Sequence, residues 1–115
     1  MKIDQPTPAL PVRDVRAAQE YYRDRLGFEI GWHHEEGRIG AVSHGRCAIF
    51  LRESDDETQP AIFWVFTEDV DDAHEELGRL GADIIEPVED KPWGLRQFSV
   101  RDLSGNVFHF HHDLG

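Results

Sequence analysis

Arg25-Leu26-Gly27-Phe28-Glu29-Ile30 returns as Arg79-Leu80-Gly81-Ala82-Asp83-Ile84, 54 residues further along the chain. Just ahead of each copy, Arg13-Asp14-Val15 and Glu68-Asp69-Val70 stand 55 apart. Two offsets that differ by one residue, each bracketing a helical pattern, point to a duplicated module. Half of a 115-residue chain holds too few residues to bury a core alone, so the copies should pack together and share a surface. A surface between two half-units is a natural place for a ligand crevice.

Outward from the first copy, Asp14 can cap a helix whose apolar positions Val15, Ala18, Tyr22 and Leu26 recur at helical spacing. Gly27 sits where a helix commonly ends in left-handed geometry. Residues 7–12 (Thr-Pro-Ala-Leu-Pro-Val) read as a short strand, and its prolines suit an edge or an exchanged arm. Strands should follow at about 28–34, 38–43 and 46–53, with His44-Gly45 as a tight turn. The second copy repeats the plan. A strand at about 61–67 leads to a helix capped by Asp69, with Val70, Ala73, Leu77 and Leu80 inward and Gly81 at its end. Strands at about 83–88, 95–101 and 106–112 complete it, with Asp102 to Asn106 as the last turn. Ser54 to Pro60 is polar and acidic, a solvated linker. The sequence therefore predicts one α+β domain over residues 1–115, made of two βαβββ modules at about 6–53 and 60–112.

Bulk composition narrows the function classes. The single cysteine, Cys47, allows no intramolecular disulfide and no zinc knuckle, and its apolar neighbours mark it as a small buried hydrophobe. Residues 1–8 show no apolar run, so no secretory signal is expected, and no stretch is long enough to span a membrane. A cytoplasmic protein is the expectation. Twenty-three acidic against twelve basic residues give a net charge of −11. That balance disfavours nucleic acid, anionic membranes and phosphate-rich partners and favours cations. Solubility or adaptation to salt is the plainer reading of the same charge.

Strand faces add detail. Ile62, Trp64 and Phe66 point one way, and Phe63 and Val65 the other. A strand apolar on both faces must be covered on both, and the helices can cover one. Phe108 and Phe110 share one face of the last strand, with Val107, His109 and His111 opposite. Ala48, Phe50 and Arg52 alternate with Ile49 and Leu51. One face is thus core. The other mixes aromatic area with isolated polar groups, as a small-molecule cleft requires. Packing of these residues on each other or on a second subunit is the alternative.

Leu10-Pro-Val-Arg-Asp-Val15, the helix with Tyr21-Tyr22, Arg25-Leu-Gly-Phe28, Pro92-Trp93-Gly94 and Val100-Arg-Asp-Leu-Ser-Gly-Asn-Val-Phe-His109-Phe110 resemble the glyoxalase/bleomycin-resistance/dioxygenase superfamily. The resemblance runs from about residue 8 to 112 and is nearest to the bleomycin resistance proteins. It implies paired βαβββ modules forming a U-shaped, eight-stranded mixed sheet with a crevice. It also implies a homodimer, often with an exchanged N-terminal strand, that sequesters bleomycin-type glycopeptides unchanged between subunits.

Enzymes of this superfamily hold a divalent metal at positions that match Thr7, approximately Phe50, Ile62 and His109. Metal activation needs about three protein ligands. Thr7 is a poor ligand, and Phe50 and Ile62 offer no donor, so neither a metal site, a cofactor nor a catalytic residue is expected. His33, His34 and His74 read as solvent-exposed, and His111 and His112 as a fraying end; the alternative is that His109 and His111, two apart on one strand face, bind a metal with a third ligand from elsewhere. The site expected from the resemblance comprises Trp93 with Gly94 beside it, Trp64 and Trp32 as aromatic walls, and Phe50, Ile62, Phe66 and His109 as the floor. The ligand class is a flat, cationic heteroaromatic compound. The alternatives are a metal-dependent glyoxalase, dioxygenase or thiol transferase of the same fold, or a binder of an unrelated metabolite. The hairpin Gly31-Trp-His-His-Glu-Glu-Gly37 departs from the drug binders and is where ligand choice could change.

Overall fold

Asp14 and Gly27 bracket the first helix as their spacing requires. In the computed structural model, which describes residues 1–2, 5–54 and 60–115, the chain runs β1 (Ala9–Val12), α1 (Val15–Leu26), β2 (Glu29–His34), β3 (Ile39–His44) and β4 (Cys47–Glu53), then β5 (Ile62–Phe66), α2 (Val70–Leu80), β6 (Asp83–Asp90), β7 (Leu95–Arg101) and β8 (Val107–Asp113). The central part of the expected linker, 55–59, lies outside the described residues. No helix among the described residues is long and apolar enough to cross a membrane.

The eight strands divide equally into two mixed sheets of the same order, β1-β4-β3-β2 and β5-β8-β7-β6. Within each, the first strand runs parallel to the last and the remaining pairs are antiparallel. β1 starts two residues later than its sequence suggests. Pro8 has no N–H for the ladder, although its carbonyl still accepts from Phe50 at 2.9 Å. The β3–β4 turn is Gly45-Arg46, with Gly45 in left-handed geometry (φ 57°), and His44 remains in the strand opposite Cys47.

Each helix start is secured twice, by equivalent devices. Asp14 accepts the Ala17 N–H at 2.8 Å and Asp69 the Asp72 N–H at 3.1 Å. In addition, the side chain at the end of the module's last strand takes the first helical N–H. Glu53 accepts from Val15 at 3.3 Å, and His112 Nδ1 from Val70 at 2.9 Å. His112 is therefore a helix cap rather than a fraying end, and β8 continues beyond it to Asp113. His74, too, departs from the expectation: its ring is half-buried and stands edge-on to Phe98 at 5.0 Å.

The repeated Arg-Leu-Gly motif is where the modules meet. Gly27 (φ 74°) and Gly81 (φ 82°) are the left-handed helix ends. A Cβ on Gly27 would lie 3.3 Å from Leu80, and one on Gly81 would lie 2.5 Å from Arg25. A second junction is polar. Fully buried Asn106 donates to the Pro11 carbonyl of the first module (3.0 Å) and to Asp102 (2.9 Å), and accepts from Ala61 (2.8 Å). Tyr22 of α1 donates to the same Asp102 at 2.6 Å. Around these junctions a continuous core joins Leu10, Tyr22, Ile49 and Leu51 of the first module to Val70, Phe98, Val100 and Phe108 of the second.

Candidate ligand-binding site on the open sheet faces

With the helices covering one face of each sheet, the opposite faces are left open. Their largest apolar side chains stand in solvent: Trp32 is 48% exposed, Trp64 53%, Trp93 59%, Phe66 62% and Ile62 64%. Phe63 and Val65, which alternate with them in β5, pack on the core. All five are among the residues expected to line the crevice; strand alternation exposes Ile62, Trp64 and Phe66, whereas Trp32 lies at a strand irregularity and Trp93 in a turn.

The site residues fall into two groups, one per sheet. On the second sheet, one row runs across all four strands: Trp64 faces His109, His109 faces Ser99, and Ser99 faces Glu86. Trp64 and His109 stack with ring centroids 4.5 Å apart and planes at 35°. His109 Nδ1 lies 2.6 Å from Ser99 Oγ, and Ser99 Oγ lies 3.2 Å from Glu86 Oε1. Glu86 is also 3.6 Å from the Lys91 ammonium, which Glu89 holds at 2.8 Å. Glu89's hydrogen bond and charge, then the charge of Glu86, raise the Lys91 pKa above the ordinary lysine range.

The next row carries Phe66, His111 and Gln97. Trp93, in the turn before β7, donates its indole N–H to Gln97 at 2.9 Å. Gly94 is left-handed (φ 89°) and closes this turn, its N–H donating to the Lys91 carbonyl at 3.1 Å. The Lys91 ammonium stands 5.7 Å from the Trp93 ring centroid, so one indole face already carries a cation.

The first sheet repeats this layout with different chemistry. Counting from each helix cap, Ala9 corresponds to Trp64 and, by parallel register, Phe50 to His109. Phe50 faces Ala41 where His109 faces Ser99. β2 carries an extra residue between Ile30 and His33, so Gly31 and Trp32 both oppose Ala41. That bulge turns Trp32 onto the open face, 5.2 Å from Phe50. Buried Gln19 of α1 satisfies the carbonyls that this leaves over, donating to Trp32 O at 3.0 Å and Ala41 O at 3.1 Å. Among the described residues no ring contact joins the Trp32–Phe50 group to the Trp64–His109 group.

The register also relates the four positions that the resemblance matches to metal ligands. Thr7 and Ile62 occupy matching places two residues before Ala9 and Trp64, and Phe50 and His109 match each other. Among the described residues no three His, Cys, Asp or Glu side chains converge. Sequence reasoning missed Ser99, Gln97, Glu86 and Lys91. Ser99 and Gln97 could have been found by extending the alternation of His109 and His111 onto the paired strand β7.

A groove of about 470 Å³ lies between the modules, lined by Phe28, His44, Cys47, Phe66, Leu77 and Phe110 among others. It holds none of the other expected site residues, because an open sheet face is not a cavity until something covers it. Burial there pushes the Cys47 thiol above its ordinary range, in keeping with an unreactive side chain.

The chain is 28% identical to a bleomycin resistance protein of Geobacillus stearothermophilus, over 92% of this chain and 94% of that protein. Among solved structures it is similar to TioX from Micromonospora sp. ML1, at 27% identity and TM-score 0.80 over 96% of this chain and 100% of that one. It is also similar to the bleomycin-binding protein of bleomycin-producing Streptomyces verticillus complexed with copper(II)-bleomycin, at 28% identity and TM-score 0.79 over 96% of both chains. A family model matches residues 2–110, and the chain belongs to the Glyoxalase/Bleomycin resistance protein/Dioxygenase superfamily.

Proposed function

We propose that this protein binds a flat, cationic heteroaromatic compound of the bleomycin type and holds it unchanged, a cytoplasmic role like that of an antibiotic-resistance protein. The observation that carries this reading is the set of tryptophans and apolar side chains left in solvent on both open sheet faces. Exposed aromatic area of this extent marks a binding surface. Its division between two sheets supports a homodimer in which a second copy lays its Trp32–Phe50 face over the Trp64–Trp93 face. The S. verticillus protein, with copper(II)-bleomycin bound, is similar over almost the whole chain. Phe50 and Ile62 supply no metal-binding atom at positions where the superfamily's enzymes need one, and this favours binding over metal chemistry.

Energetics make the second copy part of the proposal. A micromolar complex needs about 8 kcal/mol. Two stacked rings contribute about 1–3 kcal/mol beyond area burial, and a cation over an indole about 0.5–2 kcal/mol. Burial of the ligand between copies must supply the rest. The net charge of −11 would speed capture of a cation at low salt.

Titration of tryptophan fluorescence with copper-loaded and metal-free bleomycin tests this reading, alongside elemental analysis of the purified protein. The expected result is saturable quenching, weakened at least several-fold in Trp93→Ala, with no stoichiometric metal. A tightly held divalent ion, or no response to either form of the drug, overturns it.

A further inference from the structure

The row Trp64–His109–Ser99–Glu86 contains one proton whose position is dictated by its neighbours. The Ser99 hydroxyl has a single hydrogen and two partners, the Glu86 carboxylate and His109 Nδ1. A carboxylate has lone pairs alone and can only accept, and its other oxygen faces the Lys91 ammonium 3.6 Å away. The Ser99 proton therefore points to Glu86. Ser99 Oγ then turns its lone pairs to Nδ1, 2.6 Å away, and that nitrogen must bring the proton of the second bond. The opposite arrangement would set lone pair against lone pair, either between Ser99 and His109 or between Ser99 and Glu86. Ser99 is fully buried, so water does not compete for its hydroxyl.

We propose that Glu86, acting through Ser99, holds His109 in the Nδ1–H form, so that the ligand face selects flat heteroaromatic compounds carrying an N–H donor on the ring edge. The proposal rests on the reading of this face as the ligand site. His109 Nε2 makes no hydrogen bond within the chain among the described residues, and in this form it is a standing acceptor. Its ring lies 4.5 Å from the Trp64 ring and is tilted to it by 35°, so a planar guest laid against Trp64 has an acceptor nitrogen beside it. Glu86 and Ser99 are positioning residues. The equivalent row of the first sheet, with Phe50 and Ala41, has neither acceptor nor relay, so the selection belongs to the second sheet alone.

Two measurements test this. The first is the ¹⁵N NMR spectrum of histidine-labelled protein at mildly alkaline pH, with no ligand present. The expected result is a protonated Nδ1 and a bare Nε2 at His109, with the bias lost in Ser99→Ala and in Glu86→Ala, the latter on a half-buried edge-strand position. An Nε2–H signal in the unaltered protein overturns the proposal whether or not bleomycin binds. The second compares 2-aminobenzothiazole with 2-methylbenzothiazole, which share a shape and differ in the donor. The amino compound should bind several-fold more tightly, and the preference should vanish in Ser99→Ala. Equal binding, or binding of neither, overturns the selection. Failure of bleomycin to bind while the Nδ1–H form is found would sink the drug-binding reading and leave the relay standing.

Discussion

Lys91 covers one face of Trp93 with the chain's own positive charge, anchored by Glu89 and Glu86. A cationic guest must take the other indole face or displace this ammonium. Lys91→Met frees the ring and leaves both carboxylates uncompensated. Affinity for bleomycin should then rise about 2- to 10-fold, the equivalent of about 0.5–1.4 kcal/mol. Weaker binding in the same fluorescence titration would instead make Lys91 the support that holds Trp93 in place. Tyr22 shows the opposite use of a polar aromatic. It is fully buried, and burial, then the Asp102 carboxylate, drives its pKa far above the ordinary tyrosine range. Its hydroxyl is one of the donors that satisfy Asp102, with the Ser104 and Asn106 N–H groups and the Asn106 amide. Tyr22→Phe removes that donor from a buried carboxylate. The expected loss is about 1–3 kcal/mol in urea unfolding, with the ligand face unaltered.

At the scale of elements, helix and strand positions were legible because periodicity and caps report directly on burial. Val15, Ala18, Tyr22 and Leu26 are all buried, as their spacing requires. Alternation likewise placed Ile62, Trp64 and Phe66 on the open face. What the sequence does not carry is the irregular pairing of β2 and β6. The β2 bulge at Gly31-Trp32 re-aims Trp32, and irregular pairing on either side of Glu86 in β6 sets the acidic end of the polar row. Such bulges depend on which strand pairs with which, so local pattern does not show them. The pairing of His109 with Ser99 is hidden for the same reason, since it joins residues ten apart through a strand register. Gly40 illustrates how closely α1 is fitted to this irregular edge. A Cβ there would stand 2.7 Å from both Gln19 Nε2 and Val15 Cγ1. Gly40→Ala should cost about 1–3 kcal/mol by overpacking and should also change the Trp32 emission, because Gln19 holds the Trp32 carbonyl. A thermal melt and a fluorescence spectrum check both effects.

For the whole molecule, the question is what covers the open faces. Ile62 is 64% exposed in the single chain, so a charge there should leave the fold intact. If a second copy covers it, Ile62→Glu places an unpaired carboxylate in an apolar contact, at a cost of several kcal/mol. Sedimentation should then report a monomer with unchanged circular dichroism, and bleomycin affinity should fall at least tenfold. A dimer that survives Ile62→Glu would mean that the copies meet elsewhere. Duplication would suit such an arrangement: one chain carries a half-face built on Trp32 and Phe50 and another that adds a polar row to its aromatics, and a symmetric pair would join each to the other.

The Asn106 cross-link and the two touching Arg-Leu-Gly caps pin the halves of the chain to one another. If two copies enclose a guest as proposed, these links leave it no door between the halves of either copy. It would leave only when the two copies part, or by slipping out along their seam. Residence time would then track the strength of the pairing, and dilution itself would become a signal for release.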